Sequence, residues 1–138
     1  MTHSSPKTNI LILGKSGVGK SSLLNYLFDA PISEVGHGVP TTKIGIHTNP
    51  PFVHNDIEFC VYDSWGMEPG TAEKWKEIVE EEVLKNNAES LKDWFHTVVY
   101  CVDAERARIE DFEINDILQP LINGGNKILF ALTKCALN

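Results

Sequence analysis

Apolar and polar positions along the chain fall into two alternating rhythms. Asn9 to Leu13 (NILIL) is a short continuous apolar run with two isoleucines, the pattern of a parallel strand buried on both faces. Ile57 to Tyr62 (IEFCVY), Thr97 to Val102 (TVVYCV) and Lys127 to Leu132 (KILFAL) repeat that pattern. Between them the apolar residues recur every three or four positions. Leu23, Leu24, Leu27 and Phe28 predict a helix over 20–28. Trp75, Ile78, Val79 and Val83 predict an amphipathic helix within 71–95, with Leu91, Trp94 and Phe95 on a second piece. Phe112, Ile114, Ile117, Leu118 and Leu121 predict another, stopped by Gly124 and Gly125. From Pro31 to Pro51, prolines at 31, 40, 50 and 51 and weak periodicity predict a long, mostly irregular connection. Strands alternating with helices predict an α/β fold, a mostly parallel sheet with helices on both faces.

Chemistry enters at the end of the first apolar run. Gly14, Gly19, Lys20 and Ser21 match G-x-x-x-x-G-K-[ST] between a predicted strand and a predicted helix. In that setting the backbone N–H groups of 14–19, Ser16, Gly17 and Val18 included, can turn onto phosphate oxygens, with Ser22 opening the helix behind them. Lys20 can reach β- and γ-phosphate oxygens, and the Ser21 hydroxyl can ligate Mg²⁺. Asp63 and Gly66 frame D-x-x-G at the end of the second strand (DSWG), where a carboxylate can hold a Mg²⁺-bound water and a glycine N–H can sense the γ-phosphate. A nucleotide-sensing loop also needs a hydroxyl that joins Mg²⁺, and Thr41 and Thr42 are the adjacent hydroxyl pair in the irregular connection.

GKSGVGKSSLLN, Gly14 to Asn25, resembles the first motif of Ras-like and Era-like translation-factor-class GTPases, and its wording is close to septin-type and HSR1-related GTP-binding proteins. The resemblance implies a P-loop three-layer sandwich, a Ras-like G domain that lacks its last strand and helix, spanning 1–138 as one domain of a longer protein. It implies GTP and GDP with Mg²⁺ as ligands, Lys20, Thr42 and Gly66 in catalysis, and Ser21, Thr42 and Asp63 around the metal. Thr133 and Lys134 occupy the first two places of the base-recognition motif [NT]-K-x-D, but Ala136 stands where the aspartate that pairs guanine is expected. Losing that carboxylate lowers discrimination against adenine. Met67 stands where the Ras-like pattern has the glutamine that orients water, so slow intrinsic hydrolysis is implied, relieved by another residue, a protein effector or a homodimer across the nucleotide face.

Composition narrows the rest. A formal net charge of -7 disfavours nucleic acid as a partner. Three cysteines, two of them in strand-like runs, read as reduced thiols of a cytoplasmic protein, and no run reaches the length of a transmembrane span. The five histidines show no metal-ligand spacing with the cysteines. Two alternatives to a GTPase switch stay open: a nucleotide-dependent docking or self-assembly module with little hydrolysis, which Met67 and Ala136 favour, and an ATP-binding P-loop protein, which gains from Ala136 alone.

Overall fold

The computed structural model describes residues 6–20, 22–23, 44–84, 95–105 and 108–133. Its centre is β1 (Lys7–Leu13), flanked in parallel by β4 (Ile57–Trp65) and β5 (Thr97–Asp103), with β6 (Ile128–Thr133) parallel to β5. The opposite edge is antiparallel: β2 (Gly45–Thr48) and β3 (Phe52–His54) both pair with β4. The sheet order is β2-β4-β1-β5-β6. A 3-10 turn (Pro69–Thr71) leads into α1 (Ala72–Ile78), which continues as a π-helical stretch, Val79–Leu84. A second π-helical stretch, Glu113–Leu118, leads into α2 (Gln119–Asn123). The fold is thus the mostly parallel α/β sheet with helices that the alternation of patterns predicts.

The alternation of side chains across β1 and β5 divides the core in two. Leu11, Leu13, Val98, Tyr100 and Val102 point to the face covered by α1 and α2, where Trp75, Val79, Val83, Ile117 and Leu121 are fully buried. Ile12, Val61 and Cys101 point to the other face, where Val18 of the glycine loop and Leu23 pack on them. Leu23 lies in the first helical turn after that loop, its N–H bonded to Gly19 at 3.0 Å. The remainder of the helix predicted over 20–28 lies outside the described residues, as do Leu91 and Trp94 of the predicted second piece, whose Phe95 stands in the core outside any helix.

The connection predicted as mostly irregular up to Pro51 contains β2 and continues directly into β3, and these act as a single edge strand with one interruption. Thr48 faces Tyr62 and Phe52 faces Phe59, so Asn49, Pro50 and Pro51 stand opposite only Cys60 and Val61. This is a one-residue bulge, and it is where an edge tolerates prolines that have no N–H to donate. Asn55 and Asp56, with φ of 51° and 65°, then form the two-residue turn between β3 and β4, the geometry of a type I′ hairpin.

Candidate nucleotide site

The carboxyl ends of β1, β4, β5 and β6 meet at one end of the sheet, the position where open α/β sheets bind ligands. The glycine loop begins there. Gly14 packs so closely on β5 that a Cβ on it would sit 3.0 Å from the Cys101 carbonyl oxygen and 3.0 Å from Val18 Cγ2, so only glycine fits. Its backbone is clasped by Ser64: Gly14 N–H donates to Ser64 Oγ at 3.1 Å, and the Ser64 hydroxyl donates to Gly14 O at 3.0 Å. The first variable residue of D-x-x-G therefore locks that motif to the phosphate loop.

Lys20 is buried beneath the loop, and its ammonium donates to the carbonyls of Gly14 at 2.9 Å and Lys15 at 3.2 Å. Burial pushes its pKa down, while the charge of Asp63 opposes the shift. Asp63, 2% exposed, shows the mirror effect: burial raises its pKa, against donation from Asn49 and Trp65 and the charge of Lys20. Each group is thus disfavoured as a lone charge and favoured beside the other. Asn49 Nδ2 donates to Asp63 Oδ1 and Trp65 Nε1 to Asp63 Oδ2, both at 2.9 Å. The indole is stacked on His47, with ring centroids 3.8 Å apart.

Gly66 has φ of 74°, a conformation that favours glycine, and a Cβ there would press on Ile44 Cγ1 at 3.0 Å. Met67 is turned inward. Its side chain is fully buried among the core residues, its sulfur lies 3.6 Å from Tyr100 Oη, and its carbonyl accepts Ser16 N–H at 3.0 Å. Tyr100 donates to Glu113 at 2.6 Å, whose other oxygen accepts Glu110 N–H at 2.7 Å, and Lys15 pairs with Glu110 at 2.9 Å. Burial, then Glu113, push the Tyr100 phenol far above its ordinary range, so it stays protonated and can donate to Glu113. Lys15, Gly17, Met67, Arg108 and Glu110 line a cleft of about 790 Å³ beside the loop. Thr133, at the end of β6, donates its hydroxyl to the Val18 carbonyl, which fixes the last strand to the same loop.

The structure therefore brings together Gly14, Ser16, Gly17, Val18, Gly19, Lys20, Asp63, Gly66 and Thr133. Ser22 is exposed at the start of the helical turn. Ser21, Thr41, Thr42, Lys134 and Ala136 lie outside the described residues. The sequence does not reveal the roles of Ser64 and Asn49, which strand pairing brings to Gly14 and Asp63, or of Trp65, which reaches Asp63 from two positions along β4.

Among the described residues no three acidic, histidine or cysteine side chains converge as a metal site. That suits Mg²⁺ held mainly by phosphate oxygens and waters, for which one carboxylate suffices. Asp63 fits this role: each of its oxygens accepts one N–H and keeps lone pairs for a metal-bound water. No helix among the described residues is long and apolar enough to cross a membrane.

A family model described as 50S ribosome-binding GTPase matches residues 9–134. No curated protein matches the chain. Among solved structures, one reported under "Dimerization is important for the GTPase activity of chloroplast translocon components atToc33 and psToc159" superposes with a TM-score of 0.64 at 16% identity, covering 96% of this chain and 54% of that one. Aquifex aeolicus Era, as a variant bound to GDP and AlF4-, superposes with a TM-score of 0.55 at 21% identity over 92% of this chain and 40% of its own. A probable GTP-binding protein engB gives 0.54 at 18% identity over 91% and 70%. The chain spans about half the length of the first of these.

Proposed function

Since the chain belongs to the 50S ribosome-binding GTPase family, we propose that it binds GTP and GDP with Mg²⁺ and hydrolyses GTP slowly, as a switch whose sensing loops contain Thr42 and Gly66. The observation that carries this reading is the clasp of Ser64 on Gly14, which sets Asp63 beside Lys20. Lys20 and the loop N–H groups take the phosphates, and Gly66 N–H stands ready for the γ-phosphate. Ser21, Thr42 and Asp63 hold Mg²⁺, which when bound neutralises charge on the β- and γ-phosphates. On this reading Thr133, at the end of β6, and Lys134 contribute to recognition of the base.

Slow turnover follows from Met67, whose inward side chain offers no hydrogen bond to an attacking water. A second reading, assembly across the nucleotide face, is favoured by the cleft beside the loop and by the reported importance of dimerisation in the chloroplast translocon GTPases.

The deciding experiment titrates the chain with GDP and ADP in parallel, with Mg²⁺ and with EDTA, using Lys20→Ala as control. GDP binding that Lys20→Ala abolishes, with ADP much weaker, supports the reading. Equal affinity for the two removes guanine selectivity, and no binding of either removes the nucleotide site.

A further inference from the structure

We propose that Asn49 and Trp65 are positioning residues that hold the Asp63 carboxylate in the orientation that receives a magnesium-bound water. The inference rests on the Mg²⁺-nucleotide reading above and adds two residues to it. Neither is a fixed letter of D-x-x-G: Trp65 is its second variable position, and Asn49 lies on the edge strand.

A lone carboxylate at a strand end rotates among several orientations, and a water-mediated metal contact is sensitive to that freedom. Here two donors close on it, one per oxygen, each at 2.9 Å. Both donors are neutral, so they orient the carboxylate without cancelling the negative charge a cation would need. Each donor is itself held. Asn49 is 2% exposed at the bulge, where its backbone N–H donates to Val61 O at 3.0 Å and Nδ2 donates to the same carbonyl at 3.1 Å. Asn49 continues the parity of β2 and so lies on the face of Asp63. Trp65 is fixed by its stack on His47, which sits opposite Asp63 in the β2–β4 register. The edge ribbon thereby becomes a support for the metal-facing group.

Trp65→Phe is the discriminating variant, since it keeps a ring on His47 and removes only the N–H. Asn49→Ala removes the other donor. The measurement is the release rate of a fluorescent GDP analogue as Mg²⁺ is raised from EDTA conditions. In both variants the Mg²⁺ concentration that half-maximally slows release is expected to rise by about tenfold, the usual cost of losing a group that orients a metal ligand. A second readout needs no turnover: Mg²⁺ added to the GDP complex changes the native tryptophan emission, and Trp65→Phe abolishes that change. A native Mg²⁺ midpoint in Trp65→Phe overturns the proposal. GDP binding with no magnesium effect in the native chain also overturns it, while leaving the phosphate-loop reading intact. No GDP binding at all sinks both.

Discussion

Met67 shows how far a single side chain can depart from the role its position suggests. Its side chain is packed among the core residues under α1, so a polar replacement would enter the core. Met67→Gln is expected to leave GTP hydrolysis slow in single-turnover assays and to destabilise the fold by about 2 kcal/mol in urea unfolding, the cost of an unpaired buried amide. A marked gain in hydrolysis would show that the side chain can swing to the phosphates. Cys101, 1% exposed beneath Gly14, is pushed by burial from an ordinary 9.0 up to about 11, with Lys20 opposing the shift. Because the folded value lies above the unfolded one, its neutral thiol favours the fold below pH 9 and this contribution is lost as pH rises toward 11. In Cys101→Ala, the fall of stability over that window, followed by denaturation at stepped pH, is expected to be shallower than in the native chain. Gly14, Lys20, Asp63 and Thr133 were legible in the sequence because their chemistry is tied to local spacing. Asn49, Ser64 and the Tyr100–Glu113 bond were not, because each joins side chains of different elements that only the folded packing brings together.

Elements with strong periodicity were legible almost to their ends. β1, β4, β5, β6 and α1 stand where the apolar runs and the three-to-four spacing place them. The edge ribbon was obscured by Pro50 and Pro51, which argue against a strand until the bulge absorbs them. Its hairpin carried a fainter signal, since Asn-Asp suits positive φ less well than Asn-Gly. Asp56→Gly is therefore expected to stabilise the chain by about 0.5 kcal/mol, whereas Asn55→Val, which forces a β-branched residue to φ of 51°, is expected to cost about 1 kcal/mol. Thermal melts of the two variants should bracket the native midpoint. Two variants that both melt below it would mean that the Asp56 side chain contributes more than its backbone strain costs.

In the whole molecule, the four parallel strands bring the phosphate loop, the D-x-x-G glycine and Thr133 to one end, while the helices bury the sheet face behind them. Thr41 and Thr42, expected from the sequence to join the site, lie outside the described residues. On the assembly reading, GTP turnover per chain rises with chain concentration in parallel with the dimer fraction seen by sedimentation. A per-chain rate that stays constant while dimers form would remove that reading.

The bulge at Asn49–Pro51 carries a consequence of another kind. Odd-numbered residues of β2 and even-numbered residues of β3 share one face, so the extra residue resets the parity of the edge halfway along. The ribbon behaves like a text with a frame. Removing one of the two prolines would leave two residues opposite Cys60 and Val61, so the edge would pair without interruption and Phe52 would keep its stack on Phe59, 5.1 Å between ring centroids.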